Sequence, residues 1–283
     1  MSSRQRASGP SRKRRKRQLP PASLLRLLWE SAWGRAILFG SLLAFLVYAG
    51  LLYFFVVSPS GSPWRWFYGE PKAPEGYSIR GIDVSHHQGD INWDKLQGAE
   101  IGGETINFVF VKATEGRSLL DKNFNENFFQ AREHGFIRGA YHFFSPYSSG
   151  REQAHFFLRQ VHLEEGDMAP VLDVEKIGKL TAGQLQREVL EWLRIVEERY
   201  GVKPIIYSGA KFKKDYLDIP EINAYPYWIA HYYVERQAYE GEWKFWQYTD
   251  CGRLPGIKGD VDLNIYNGSM YDLRQLTVPE AEE

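Results

Sequence analysis

The 283-residue sequence predicts a single membrane-spanning helix followed by an α/β domain, which we expect to be an irregular (β/α) barrel. Three observations lead to this prediction. An uncharged apolar run lies near the N-terminus, and beyond it short apolar segments alternate with amphipathic ones. In addition, acidic or aromatic residues follow almost every apolar segment, as expected for strands that end at one rim of a barrel.

The N-terminal 35 residues are strongly basic, although the formal net charge of the whole chain is zero. They contain ten Lys or Arg and a single acid, Glu30, which leaves 25 basic and 34 acidic residues in the rest of the chain. The basic run at 12–17 is of a kind that can bind nucleic acid. Because an apolar span follows it, we expect it to contact anionic lipid headgroups instead, and we predict no nucleic-acid partner.

Residues 36–57 form a run of 22 residues without a charged side chain. A helix of that length spans about 33 Å, enough to cross a hydrocarbon core of about 30 Å. An uncleaved anchor is favoured over a cleaved signal peptide, because the run is longer than usual for a signal peptide and Ser58-Pro59-Ser60 is not a usual cleavage site. The preceding cations predict a single-pass protein of the cytoplasmic membrane, with its N-terminus in the cytoplasm and its main domain outside.

Residues 58–78 are predicted to be a linker, 79–276 the main domain and 277–283 a tail. Eight strands are predicted at 79–84, 106–112, 137–143, 169–174, 204–207, 227–230, 244–248 and 261–263. Helices are predicted at 123–134, 149–161, 181–200 and 210–217, the third with a capping box made by Thr181 and Gln184. No convincing helix separates the last three strands, so the TIM-barrel-like fold is expected to be incomplete at its C-terminal end.

One predicted strand ends in the sequence Asp173-Val174-Glu175. Because side chains alternate along a strand, Asp173 and Glu175 are expected to share a face and Val174 to take the other. Two carboxylates held together in a reduced dielectric repel each other, so one can keep its proton near neutral pH, as a general acid requires. The alternative is that one carboxylate caps the next helix and the other lies in solvent.

Other predicted strand ends bring acidic and aromatic residues to the same rim, among them Asp83, Glu115, Tyr141, Trp246 and Asp262. Aromatic faces stack on sugar rings and carboxylates bind sugar hydroxyls, so this composition is typical of a carbohydrate cleft. Hydrolysis of a glycosidic bond uses two carboxyl groups around the scissile oxygen. The adjacent His86 and His87 point apart and have no third ligand nearby, so neither a metal nor a cofactor is predicted.

The domain resembles glycoside hydrolase family 25, the N-acetylmuramidase lysozymes of the Chalaropsis type. The matching motifs occur in family order over residues 79–273: GIDVS at 81–85 with Gln88, VKATEG at 111–116, GAYHF at 139–143, PVLDVE at 170–175, YWIA at 227–230, WQY at 246–248 and VDLN at 261–264. The resemblance implies an incomplete β/α barrel with its cleft at the strand ends. It also implies cleavage, without a metal, of the β-1,4 bond from N-acetylmuramic acid to N-acetylglucosamine in peptidoglycan.

By the same resemblance, Glu175 corresponds to the family's proton donor. Asp173 corresponds to its partner, which assists either the acetamido group of the substrate or a nucleophilic step. Asp83 and Asp262 correspond to two further acids of the cleft. The residues expected to contact sugar are Gln88, Tyr141, Tyr207, Trp246 and Gln247.

Structural roles remain open for several of these residues. Asp83 could cap a turn, Asp262 could anchor the last strand, and Tyr141 and Trp246 could be core aromatic residues. Lys112 is expected to pair with an acid such as Glu115, and the single cysteine, Cys251, is expected to be structural.

The sequence therefore predicts a membrane-anchored hydrolase of peptidoglycan glycan strands, with no identified protein partner. One alternative is a non-catalytic glycan-binding barrel that tethers the envelope to the membrane, but the set of acids is complete here. Another is a chitinase-like barrel, in which acids precede the catalytic pair. Ala169 and Val171 stand at those positions, which argues against it.

Overall fold

The computed structural model describes Trp29 and residues 31–53, 72–237 and 239–280. The chain forms two compact units, Met1–Ser58 and Pro59–Glu283. Residues 1–28 and 30 of the predicted basic tail lie outside the described residues, and so do residues 54–57 of the predicted span. Residues 58–71 of the predicted linker and 281–283 of the predicted tail also lie outside them.

The first unit contains an apolar helix, α1 (Ala32–Leu52), which begins four residues before the predicted span. Ser31 caps its N-terminus, because the Ser31 Oγ accepts a hydrogen bond of 2.8 Å from the Gly34 backbone N–H. The stretch Ala32–Leu51 is long and apolar enough to cross a membrane, and only 6% of it is buried. The helix therefore does not have the buried side chains of a core helix.

The second unit is built around eight strands that close into a barrel. In spatial order they are β1 (Ile79–Val84), β10 (Val261–Tyr266), β9 (Phe245–Gly252), β8 (Tyr227–Ala230), β7 (Ile205–Gly209), β6 (Val171–Asp173), β5 (Ile137–Phe143) and β3 (Glu104–Glu115), which pairs with β1 again. Two short strands, β2 (Glu100–Ile101) and β4 (Leu119–Leu120), pair with β3 outside the ring.

The ring of strands is closed and mixed, and no described helix lies between β8 and β9 or between β9 and β10, so the predicted irregularity at the C-terminal end is an absence of helices and not a gap in the sheet. Seven strands run parallel, whereas β10 lies between β9 and β1 and runs antiparallel to both. An antiparallel pair can be joined by a short connection, while a parallel pair needs a crossover. This explains why no helix is needed between β9 and β10, and it distinguishes the fold from a barrel of eight parallel strands.

Helices connect most of the parallel strands. They are α2 (Trp93–Leu96), α3 (Phe124–Glu133), α4 (Gly150–Gln160), α5 (Ala182–Tyr200), α6 (Ala210–Phe212) and α7 (Pro220–Asn223), with a π-helical turn at Lys213–Leu217. A further helix, α8 (Met270–Arg274), follows β10. The predicted capping box of α5 is present, because Gln184 donates to Thr181 Oγ1 at 3.3 Å and Thr181 donates to Gln184 Oε1 at 2.8 Å. The predicted helix at 210–217 is divided between α6 and the π-helical turn.

Aromatic rings fill the interior of the barrel. Phe110 on β3 stacks on Trp228 of β8 with 4.6 Å between ring centroids, and Phe108 meets Phe245 of β9 edge-on at 5.3 Å. Since β3 is a neighbour of neither β8 nor β9, these contacts cross the barrel. The rings are fully or almost fully buried and close the interior below the strand ends.

Candidate active site

A cavity of about 240 Å³ lies toward the carboxyl ends of the parallel strands, and four acids line it. We call it the acidic cavity. The acids are Asp83, Asp173, Glu175 and Asp262, and they share the cavity with Ser85, His87, Lys112, Tyr141, Phe143, Tyr207, Trp228, Tyr232 and Gln247. Asp262 reaches this rim from the start of β10, because β10 runs antiparallel and faces Asp83 of β1 in register.

Asp173 and Glu175 both line the cavity, whereas Val174 between them is fully buried in the apolar core. This is the arrangement expected from the alternation of side chains, although β6 ends at Asp173 and Glu175 follows the strand. Thr181 caps the next helix, so neither carboxylate serves as its cap. Asp173 is 7% exposed and Glu175 is exposed, so Glu175 is the more accessible of the two to a substrate.

Hydrogen bonds hold one oxygen of Asp83 firmly in place. Its Oδ2 accepts from Gln247 Nε2 at 2.7 Å and from Asn264 Nδ2 at 2.8 Å, and the Asn264 Oδ1 accepts from the Trp228 indole at 2.9 Å. Gln247 Oε1 in turn accepts from the Tyr207 hydroxyl at 2.7 Å. Since Oδ2 already accepts two hydrogen bonds, a proton on this carboxyl group belongs on Oδ1.

Burial raises the pKa of Asp83 to about 6, against the opposing effect of its hydrogen bonds from Asn264 and Gln247. The pKa of Asp262 is raised well above its usual value, by burial and then by the negative charge of Asp83 opposite. The two carboxyl groups therefore disfavour each other's ionisation, as closely placed acids do in a low dielectric.

The pKa values of the Asp173 and Glu175 pair are also raised. For Asp173 the rise is large and comes from burial and the charge of Glu175, while Lys112 opposes it. For Glu175 burial raises the pKa, and Lys176, the Tyr207 hydroxyl and Lys112 oppose the rise. No described residue hydrogen-bonds to Asp173 Oδ1, although that atom is buried.

Of the five residues predicted to contact sugar, Tyr141, Tyr207 and Gln247 line the acidic cavity. Gln88 does not line it, because its side chain accepts from the Ser85 backbone N–H at 2.9 Å and donates to the Asp260 carbonyl at 3.1 Å. Trp246 does not line it either. Its ring is 1% exposed in the core outside the barrel, and its indole donates to the His231 carbonyl at 2.8 Å.

Six residues of the cavity were not among the predicted site residues: Ser85, His87, Lys112, Phe143, Trp228 and Tyr232. Lys112 forms the expected ion pair with Glu115, at 2.7 Å, and also reaches the cavity. The His86 ring binds the buried Asp121 at 2.6 Å and leaves His87 to face the acids. Ser85 and His87 follow β1, Phe143 ends β5, and Lys112 ends the predicted strand at 106–112, a signal that could have identified them. In contrast, Trp228 lies within β8, and Tyr232 follows β8 in a loop.

Within the described residues, no group of three or more His, Cys, Asp or Glu side chains is arranged to hold a metal ion. The chemistry that the cavity itself offers is proton transfer and electrostatic stabilisation by several carboxyl groups of raised pKa. Tyrosine hydroxyls and the amide of Gln247 surround these groups and can bind polar ligand groups.

Comparisons with known proteins agree on one family. Residues 82–257 match the family model described as "Glycosyl hydrolases family 25". Over 204 residues the chain is 46% identical to YegX of Escherichia coli K12, described as uncharacterized, covering 72% of this chain and 75% of YegX. Over 213 residues it is 34% identical to lysozyme M1 of Streptomyces globisporus, covering 70% and 71% of the two chains.

A solved structure supports the same relationship. The bacterial lysozyme from Streptomyces coelicolor superposes with a TM-score of 0.64 at 33% identity, over 71% of this chain and 98% of that one. The family match includes Asp83, Asp173 and Glu175, and Asp262 lies five residues beyond its end.

Proposed function

The chain belongs to glycosyl hydrolases family 25 and is a lysozyme-type glycoside hydrolase, and we propose that it is membrane-anchored and cleaves the β-1,4 bond between N-acetylmuramic acid and N-acetylglucosamine. Membership of the family supports peptidoglycan as the substrate. The proposal adds the bond that is cleaved, the roles of the acids, and the position of the enzyme at the cytoplasmic membrane.

The observation that carries the proposal is the convergence of four acids with raised pKa values in one cavity at a barrel rim. In glycoside hydrolysis one carboxylic acid protonates the leaving oxygen, and a second carboxyl group acts on the developing positive charge or forms a covalent bond. When the carboxyl groups of one cavity lose their protons at different pH values, a protonated and an ionised carboxyl group can be present together.

We assign the proton donor to Glu175. It is the one exposed acid among the four, so a glycosidic oxygen can approach it, and partial desolvation of its carboxyl group raises its pKa so that it keeps a proton more readily. When a glycan covers the cavity, further loss of water is expected to strengthen this effect. The proton then passes to the leaving sugar oxygen as the glycosidic bond breaks.

Asp173 and Asp83 lie deeper and act on the sugar that remains in the cavity. Asp173 either orients the acetamido group of the substrate or takes part in a nucleophilic step, and Asp83 provides negative charge near the developing oxocarbenium ion. The network through Gln247 and Asn264 supports this role, because it keeps the ionised form of Asp83 available. Tyr141, Tyr207 and Gln247 are proposed to contact the sugar.

Replacement of Glu175 by glutamine tests the assignment of the donor. The Glu175→Gln protein is expected to fold normally and to lose nearly all lysis of purified sacculi, because glutamine cannot donate a proton of suitable acidity. Glu198→Gln on α5, at an exposed position, is a matched control that is expected to keep full activity. Lysis by Glu175→Gln at the wild-type rate would exclude Glu175 as the donor.

Mass spectrometry of the released fragments tests the bond. Cleavage as proposed leaves N-acetylmuramic acid at the new reducing end. Fragments that end in N-acetylglucosamine would contradict the proposed linkage, and binding of sacculi without release of fragments would indicate a glycan-binding protein instead.

We also propose that α1 anchors the enzyme with its N-terminus in the cytoplasm, as the apolar helix and the ten cations at 1–35 suggest. A C-terminal fusion to alkaline phosphatase, which is active only outside the cytoplasm, is expected to be active and membrane-bound. The same fusion without residues 32–52 is expected to be inactive and soluble. Activity of a cytoplasm-specific reporter at the C-terminus would contradict this topology.

A further inference from the structure

The acidic cavity is small for its proposed substrate. Its volume of about 240 Å³ is below the about 300–1,000 Å³ of most ligand pockets, whereas a glycan strand is a long polymer. A second concave surface of about 650 Å³ lies beside it, between the segment that follows β7 and the segment that follows β8. We call this surface the side groove. Its lining includes Lys211, Phe212, Asp215, Tyr216, His231 and Tyr232.

The side groove is continuous with the acidic cavity through Tyr232, which lines both. The Tyr232 hydroxyl donates to Gln247 Oε1 at 2.5 Å, so the ring is held by the same amide that binds Asp83. The next residue, Tyr233, has a positive φ of 58°, a conformation that is uncommon for a residue with a side chain. The backbone is therefore locally strained at the residue that follows Tyr232, whose ring lies between the two concavities.

The lining of the side groove is rich in half-exposed rings. Phe212 and Tyr216 lie one helical turn apart with 4.9 Å between their centroids, and His231 and Tyr232 face the same concavity. All four rings are partly open to solvent. Aromatic rings that keep part of their surface accessible in a groove can contact the apolar faces of pyranose rings, and polar groups nearby can bind the hydroxyl groups.

Polar groups are present at the edge of the same groove. The Lys211 ammonium pairs with Asp215 at 2.5 Å, so the charges of the two side chains compensate each other. Lys211, Asp215 and His231 also line a larger recess of about 840 Å³, which continues the groove away from the acidic cavity. An ammonium group has three donors, so Lys211 can still donate to hydroxyl, acetamido or lactyl carboxylate oxygens of the glycan while it pairs with Asp215.

We propose that the side groove binds the glycan strand beyond the sugars that occupy the acidic cavity, with Phe212 and Tyr216 as stacking platforms. This inference rests on the proposed function, because it takes the occupant of the acidic cavity to be peptidoglycan. Affinity for the substrate then depends on the length of the glycan, and short fragments leave the side groove empty.

Binding measurements on the full chain in detergent test this inference separately from catalysis. The Glu175→Gln protein is titrated by calorimetry with peptide-free glycan oligosaccharides of two and of eight sugars. We expect the longer glycan to bind more tightly. The double replacement Phe212→Leu with Tyr216→Leu, which keeps apolar volume but removes the flat rings, is expected to lower the ratio of the two affinities by about tenfold.

The matched control is the double replacement Phe129→Leu with Tyr271→Leu, at two exposed aromatic positions outside the groove. It is expected to leave the ratio unchanged. A second variant, Tyr216→Trp, keeps a ring in the groove, and its fluorescence relative to the parent protein is expected to change with the eight-sugar glycan and not with the two-sugar one.

The outcomes separate the two hypotheses. An affinity ratio that the groove replacements leave intact, or a Tyr216→Trp signal that is the same for both lengths, would overturn the side groove while leaving the proposed function in place. The same titration is repeated with peptide-bearing glycan. If the groove replacements weaken binding only of the peptide-bearing glycan, the groove binds the peptide stem, and the proposal is overturned. Absence of turnover of every glycan by the wild-type protein would contradict the proposed function, and the binding ratio would still test the groove.

Discussion

Replacement of Asn264 by leucine is expected to destabilise the protein and to move its activity to higher pH. Asn264 is fully buried, donates to Asp83 Oδ2 at 2.8 Å and accepts from the Trp228 indole at 2.9 Å. Leucine has a similar size but can make neither hydrogen bond, so both partners lose a contact that water cannot replace.

The size of the effect follows from the two lost contacts. A hydrogen bond to a charged group contributes about 1.5–3 kcal/mol, and a buried N–H left without a partner costs about 1–3 kcal/mol. We therefore expect the free energy of unfolding to fall by about 3 kcal/mol when Asp83 is ionised. The hydrogen bond from Asn264 lowers the pKa of Asp83, so its loss raises that pKa above about 6. Because 1.36 kcal/mol corresponds to one pH unit, the acid limb of the activity profile moves to higher pH by about one unit.

The pH dependence of kcat/KM for glycan hydrolysis and urea unfolding measure the two effects. The double variant Asn264→Leu with Trp228→Phe removes the orphaned indole N–H, so it is expected to regain part of the lost stability and to keep the shifted profile. An acid limb that does not move in a folded Asn264→Leu protein would refute the assignment of Asp83 as the ionising group. Stability equal to that of the wild type would refute the buried network itself.

Two further predictions concern the stability of the barrel. Burial raises the folded pKa of Asp83 to about 6, above its unfolded value of about 3.9, so its stabilising contribution is complete below about pH 4 and is lost as the pH rises through 6. As the pH rises from about 4 to about 8, the free energy of unfolding of Asp83→Asn, measured with urea, is therefore expected to fall by about 3 kcal/mol less than that of the wild type. Equal decreases in the two proteins would contradict this. Gly81→Ala is expected to destabilise the domain by about 1–3 kcal/mol or more, because its Cβ would lie 2.2 Å from the Phe108 ring, which Phe245 confines. The control Gly183→Ala has only a contact of 3.9 Å and is expected to be neutral or stabilising, so similar stability of the two variants would exclude the clash at Gly81.

Local patterns predicted most of the fold. The predicted strands at 137–143 and 227–230 agree with β5 and β8 in both bounds. The closure of the barrel was not predicted. No helix was expected between the last three strands, but only the pairing of β10 with β1 shows that the direction of β10 is reversed.

The alternation of side chains also explains which of the predicted site residues line the acidic cavity. Asp173 and Glu175 are two positions apart and line one cavity. Trp246 and Gln247 are adjacent, so they cannot both face the cavity, and the strand presents Gln247 to it and Trp246 to the outer core. Applied to this pair, the same rule would have shown that one of the two predicted sugar contacts belongs elsewhere.

The sequence by itself determined the apolar span, the succession of strands and helices, and the shared face of Asp173 and Glu175, since these depend on residues close together in the chain. Only the tertiary structure decided that Asp262 faces Asp83, that Asn264 and Gln247 hold one oxygen of that carboxyl group, and that Tyr232 borders both concavities. These relations join residues more than 160 positions apart, or depend on which way a loop turns after its strand. Strand direction and barrel closure set them, and neither property is encoded in a local pattern of residues.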